Sequence, residues 1–566
     1  MKERDNILFY DTTSLSPTPD IQSRAEANWL QQALQKRFPD EALQVQSVHC
    51  NDTGIYRRGL RKITNLPAFI DIRLTHKTGR HTEYITVWVP VRWNDRFIGT
   101  GGGGTATGGE QYITRPNNTS RGMTLPFAVM NGFAAATTDA ANREKEWALD
   151  RESGTLDMER LENWHGRSTH FMSLAGKAVC ELLHGRQVQY SYFHGGSGGG
   201  RQAMVLAQEY PSDYNGIWAS CPAINWTSFL PEGLWPVAVM NSEQHILSER
   251  RIRQFMEAAQ NSAGGQDAYY RRLSPVAFDP VTLVGTNGIT EADARIMKQL
   301  WDGPTDEAGN RLWYGFRPGV LFWNKVIPIG AFYYTLSGKP RPFFLSTYYL
   351  RWVTKNPKQT FESLTVPQYR SLHRQSVTEL ARFSADSADL HPFAAHGGKL
   401  MIDHGIDDPL IPVDGTLDYC RRMLSEVGAD KAEIVAVARI DGTAPRIGRR
   451  QREKPPCLPA RFQRYTHKND LFPLPVALQD IPQQGVLPVY QFAQALRHAV
   501  QLVHGLLGRD RLSAGCRKAP LRVLVHNQIG MGQAHVQRRE GGQRLQQMRL
   551  ALGFALFVRR VYFVGL

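Results

Sequence analysis

A chain of 566 residues with 42% hydrophobic and 21% charged residues can bury a large core and more than one domain, and its composition excludes a disordered or fibrous protein. The opening MKERDNILFYDTTSLSPTPD has no apolar core of signal-peptide length, and no later run approaches the roughly 20 apolar residues of a membrane span. The expectation is therefore a cytoplasmic protein without membrane contact. The formal net charge of +15 has one location: from Arg439 onward 18 Arg and 3 Lys face 6 acids, which is the whole excess, while the preceding residues carry 46 charges of each sign.

In chain order, a polar helical stretch around Ile21 to Arg37 precedes strand-like alternation from Ala68 through Trp93, where the sheet is expected to begin. FIGTGGGGTATGG (Phe97 to Gly109) reads as a glycine loop, and FAVMNGFAAATTD (Phe127 to Asp139) as a helix running into a buried strand. HFMSLAGKAVCELLHG has helical spacing and stops at Gly185; QVQYSYF (Gln187 to Phe193) is a strand, GGSGGGRQAMVLAQEY turns into a helix, and GIWASCPA (Gly216 to Ala223) is the next strand. This alternation predicts an α/β class with a mainly parallel sheet. Between about Trp226 and Ala385 the rhythm is lost and aromatics crowd in, as expected of an inserted lid whose aromatics face an opening or form the lid's own core. KLMIDHG (Lys399 to Gly405), a helix over about Gly415 to Glu426 and EIVAVA (Glu433 to Ala438) resume the sheet. The predicted organisation is a core that opens over residues 1–225, a lid over 226–385, a return to the core over 386–438 and a basic tail over 439–566.

The segment Gly195-Gly196-Ser197-Gly198-Gly199 fits GxSxG between a strand and a helix, the context in which that pattern holds a nucleophilic serine on a tight turn. A glycine-rich turn with an incidental serine is the competing reading. The amide of Gly198 at a helix N-terminus and a second amide from Gly101 to Gly104 would stabilise an oxyanion. The latter stretch does not suit a phosphate cradle, because no helix opens after it and no Lys or Ser/Thr holds the Walker position. An acid is expected after a later strand, in Asp403-His404-Gly405-Ile406-Asp407-Asp408-Pro409, where Asp403, Asp407 and Asp408 compete. The six cysteines, Cys50, Cys180, Cys221, Cys420, Cys457 and Cys516, have neither metal-type spacing nor scaffold density and are expected to be free thiols.

The run FHGGSGGGRQAMVLAQEYPSDYNGIWASCPAINW resembles the GCSxGGRQ, YPxDyDGI and ApaxxW stretch of the tannase/feruloyl esterase family. WNDRFIGTGGGG is similar to that family's WnGRFlgvGnGG, and GGKLMIDHGIDDPLIPVDGTLDY to its GGKLllyHGwaDplIpp; AAATTDAA also matches, and the likeness runs from about residue 65 to 438. The resemblance implies an α/β-hydrolase fold with a large lid and a serine carboxylic ester hydrolase acting on small aromatic, feruloyl- or galloyl-type esters. It also implies Ser197 as nucleophile, Asp408 as acid, Gly198 with Gly102 and Gly103 as the oxyanion hole, and relatives that are often secreted. The family's cysteine before the nucleophile is Gly196 here, so its cross-link is not expected. The family's lid calcium site corresponds to SAGGQDAYYRRLSPVAFDP (Ser262 to Pro280), which keeps mainly Asp267 and Asp279, so no metal or other cofactor is expected.

The family's catalytic histidine sits in a PGMGHC-like motif after the strand begun by EIVAVA, where this chain continues RIDGTAPRIGRRQREKPP. After Asp408 the candidates are His467, His498, His504, His526 and His535; GMGQAH (Gly530 to His535) echoes the motif and makes His535 the nominee. Family pattern, sheet rhythm and charge balance all end near residue 438, as a shifted reading frame would cause, and a tail of this composition is expected to be poorly ordered. The rival readings are a hydrolase fold that binds its ligand with little turnover and a core carrying a nucleic-acid-binding basic tail.

Overall fold

Short apolar strands separated by amphipathic helices can bury both faces of a sheet only if the helices cover it on either side. The computed structural model of the chain describes residues 12, 14–113, 124–142, 148–150, 153–269, 274–325, 330–335, 337–428 and 435–440, all within one unit, Tyr10–Asp480. Nine of its strands form one sheet: β1 (Ala42–Asn51), β2 (Phe69–Thr78), β3 (His81–Pro90), β4 (Arg96–Thr100), β5 (Ala134–Thr138), β6 (Tyr190–Gly196), β7 (Gly216–Ser220), β8 (Lys399–Gly405) and β9 (Val435–Ile440). Their spatial order is β1-β2-β3-β5-β4-β6-β7-β8-β9. The first three strands pair antiparallel with one another, as does β3 with β5, and every pairing from β5 to β9 is parallel.

The mainly parallel sheet agrees with the expectation, with one element added. The alternation does not single out β1, since only Leu43 and Asn51 of its ten residues are buried. An edge strand needs few apolar side chains. Helix α1 (Ala27–Arg37) packs beside it; α2 (Ser168–His184) ends at Gly185, which takes the left-handed conformation (φ 67°) that suits a C-terminal glycine. Helix α3 (Gly198–Glu209) follows β6 directly, and α4 (Val413–Val427) follows β8. Phe97, Phe193, Ile217 and Ile402 of the sheet share one buried cluster with Met172 and Val179 of α2, Met204 and Leu206 of α3, and Met423 of α4.

Between β7 and β8 the chain leaves the sheet and builds helices at Trp226–Glu232, Trp235–Ser242, Glu249–Ser262, Glu291–Asp302, Phe344–Thr354 and Val366–Glu379, with a small sheet of Trp323–Lys325, Phe332–Tyr334 and Pro340–Pro342. This insertion centres on a second buried cluster, which also takes in Leu149, Leu161, Trp164 and Ile411 from outside it. The expectation that its aromatics face an opening is corrected for most of them: Trp301, Phe316, Phe322, Phe332, Tyr334, Phe343, Tyr349 and Trp352 are buried within it. A layer outside the sheet must supply apolar volume of its own, and aromatic rings supply most per residue. The lid is tied to the loop after β8: the Ala331 N–H donates to Pro409 O at 3.0 Å. Arg317 also grips Asp414 through two hydrogen bonds of 2.7 Å. Among the described residues no helix is long and apolar enough to cross a membrane.

Candidate active site

In an open α/β sheet a crevice forms outside the carboxyl ends of the strands where the strand order reverses. Here the chain passes from β4 outward to β5 on one side and later enters β6 on the other, so the reversal lies between β4 and β6. The glycine loop leaves the end of β4, and Ser197 leaves the end of β6.

Ser197 has φ 58° and ψ −119°, a conformation that costs a non-glycine residue roughly 1–3 kcal/mol. Three hydrogen bonds hold it there: its N–H donates to Ser220 O at 2.8 Å, and its carbonyl accepts from the N–H groups of Arg201 and Ala223, each at 3.0 Å. The glycines of the pattern are required by close approach. A Cβ on Gly195 would lie 2.3 Å from Gly199 O, and one on Gly198 would lie 2.1 Å from Gly104 O. Backbone carbonyls cannot yield as a flexible side chain can, so the elbow and the glycine loop meet only without side chains. The half-buried Ser197 hydroxyl makes no hydrogen bond with the described residues.

The glycine loop and Gly198 lie against each other, but two of the expected amides are engaged elsewhere. Gly198 opens α3, where first-turn N–H groups have no partner within the helix. Gly102 and Gly103 are committed elsewhere: the Gly102 N–H donates to Gln202 Oε1 at 3.1 Å and the Gly103 N–H to Ala106 O at 3.0 Å. The reason is the tight turn Gly103 to Ala106, which closes on itself and leaves the Gly104 backbone against Gly198. Gln202 pins this loop, its amide also donating to Thr169 Oγ1 at 3.0 Å. Its side chain follows the serine by five positions in the GGRQ run, which was the signal for it.

The register Gly196–Ser220–Asp403 runs straight across β6, β7 and β8. Ser197, Cys221 and His404 therefore stand side by side, one residue further on. Asp403 is fully buried inside the sheet, its Oδ1 accepting from Trp218 Nε1 and Ser220 Oγ, each at 2.5 Å, which suits a structural carboxylate. Asp408 returns toward the row. Its Oδ1 accepts from the N–H groups of Leu410 and Ile411, both at 2.9 Å, and its Oδ2 lies 3.5 Å from His404 Nε2. Burial works to raise its pKa, but His404 and the Ile411 and Leu410 amides outweigh it and hold the carboxyl below the ordinary range. Asp407 goes the other way, raised by burial and by the charge of Asp408. A carboxyl lowered in the folded state stabilises fully above the unfolded carboxylate value of about 3.9 and loses that contribution as pH falls through the folded value. The thermal midpoint should therefore fall more steeply in acid for the unaltered chain than for Asp408→Asn, and parallel profiles would refute an ionised Asp408.

His535, with the other histidines after Asp408, lies outside the described residues. In the calcium-like lid segment Asp279 Oδ1 caps the Val281 N–H at 3.0 Å. Cys50, Cys180 and Cys420 are free thiols, and Cys221 is in no disulfide with the described residues.

A family model, Tannase and feruloyl esterase, matches residues 77–437 and so takes in the glycine loop, Ser197 and Asp408 and ends within β9. The chain belongs to the tannase and feruloyl esterase family. It is 32% identical over 388 residues to a probable feruloyl esterase of Arthroderma benhamiae, covering 63% of this chain and 68% of that one. Among solved structures it is similar to tannin acyl hydrolase from Aspergillus niger (TM-score 0.58, 18% identity, 76% of this chain and 80% of that one). Feruloyl esterase B from Aspergillus oryzae is comparable (TM-score 0.58, 19% identity, 73% and 82%). These neighbours agree with the sheet and helices in assigning an α/β-hydrolase fold.

Proposed function

We propose that the chain's core is built to hydrolyse carboxylic esters of aromatic acids through a serine acyl-enzyme. The observation that carries this is Ser197, held in a strained conformation at the crevice end of β6, its hydroxyl unengaged by the described residues and glycine backbone on both sides. Ser197 Oγ attacks the ester carbonyl, a histidine takes its proton, and the tetrahedral oxyanion is held by the N–H groups of Gly198 and of Gly104, which replaces Gly102 and Gly103 in that role. The histidine returns the proton to the leaving alcohol; water then repeats the sequence on the acyl-serine. Asp408 Oδ2 orients the histidine and stabilises its cation, while Oδ1 stays fixed by the two loop amides.

Support for an aromatic acyl group comes from the name of the probable feruloyl esterase relative. The test is labelling with an aryl phosphonate fluorophore, followed by peptide mass spectrometry, in a form of the chain that carries a catalytic histidine. Label on the peptide containing Ser197 is expected; label confined to another serine would overturn the assignment.

A further inference from the structure

We propose that Cys221, His404 and Asp408 form a binding site for a zinc ion at the crevice, one that competes with the use of Asp408 in ester hydrolysis. Among the described residues these three each place a ligand atom within 4.8 Å of the other two. They supply one sulfur, one imidazole nitrogen and one carboxylate oxygen, a donor set that suits borderline-soft Zn²⁺ better than a hard cation.

The fold makes the juxtaposition firm. Cys221 and His404 follow the in-register pair Ser220 and Asp403, and the Cys221 N–H donates to Asp403 O at 2.6 Å. Cys221 is held at φ 41°, which a cysteine adopts only when its surroundings impose it. Asp408 has one oxygen already committed to two backbone amides, so Oδ2 alone can bind a metal. That oxygen stands 3.5 Å from His404 Nε2, close to the roughly 3.3 Å between two ligands of one tetrahedral zinc. Cys221 and Asp408 are both half-buried, and Ile411 O, 3.1 Å from His404 Nε2, stands beside the same position.

His404 Nε2 faces Ile411 O at 3.1 Å, an acceptor only, so Nε2 carries the hydrogen and Nδ1 accepts from Thr416 Oγ1 at 2.9 Å. When the ion binds, the imidazole proton transfers from Nε2 to Nδ1, which then donates to Thr416 Oγ1. Nε2 gives up its hydrogen bond to Ile411 O and becomes a ligand, the Cys221 thiol gives its proton to solvent, and Asp408 binds as the carboxylate it already is. One proton is released per ion.

Binding itself does not depend on the proposed ester chemistry; only its consequence does, because an ion on Asp408 Oδ2 withholds the oxygen that would orient a catalytic histidine. The full chain should therefore be titrated with Co²⁺ as a spectroscopic stand-in for zinc, then with Zn²⁺. A cobalt–thiolate charge-transfer band should appear, reach one equivalent and be displaced by Zn²⁺. It should be lost in Cys221→Ala and need at least tenfold more metal in Asp408→Asn. Zn²⁺ should also protect one thiol of the unaltered chain from a disulfide reagent, with mass spectrometry locating it at Cys221. A band that survives Cys221→Ala, no band at all, or protection at another cysteine would overturn the site. None of these readouts needs hydrolysis, so a chain without esterase activity still tests it.

Discussion

Joining residues 1–438 to a C-terminus that restores a GMGHC-like segment is expected to raise kcat/KM on an aryl ester by about a thousandfold or more over the chain as it stands. Oxyanion donors and binding alone leave only a residual rate enhancement, because a serine hydroxyl is a weak nucleophile until a base takes its proton. In this chain Ser197, Asp408 and the glycine loop precede residue 438, whereas the balanced charge and the family match both end there. Retranslation of the coding DNA around residues 430 to 445 in the other two frames is expected to yield the segment to be joined, and failure to find a GMGHC-like segment there would count against a shifted frame. Substantial activity in the present chain that vanishes with Ser197→Ala but persists after truncation at Ala438 would show that no histidine from the tail is needed. Activity that requires His535 would establish the present tail as the native source of the base.

In the restored form Ser197→Ala should lower kcat by about 10³- to 10⁶-fold and abolish phosphonate labelling, with the acyl-enzyme lost altogether. The same position carries a stability prediction of opposite sign. Alanine keeps a Cβ at φ 58° and so keeps the strain, whereas Ser197→Gly relieves it, and the thermal midpoint of the glycine variant should rise above both. A glycine variant no more stable than the alanine variant would mean that the elbow is unstrained. A gain in stability with loss of activity is what a site that stores strain for exposure of its nucleophile produces.

The sequence alone determined the local features whose physical signal is local. The glycines around Ser197 mark a turn that tolerates no side chains, the alternation of KLMIDHG and GIWASCPA marks buried parallel strands, and Gly185 marks the end of a helix. The edge strand Ala42–Asn51 stayed hidden because an edge buries too little to leave a pattern. The lid aromatics were legible as a cluster but not as a core, since composition does not say which way a ring faces. Tertiary structure decided which amides of the glycine loop stay available, because Gln202 reaches Gly102 from 100 residues away along the chain. It also set Cys221 beside His404 and Asp408 across the end of the sheet. Cross-strand register between segments almost two hundred residues apart is fixed by the packing of the whole sheet, and no spacing within either segment encodes it.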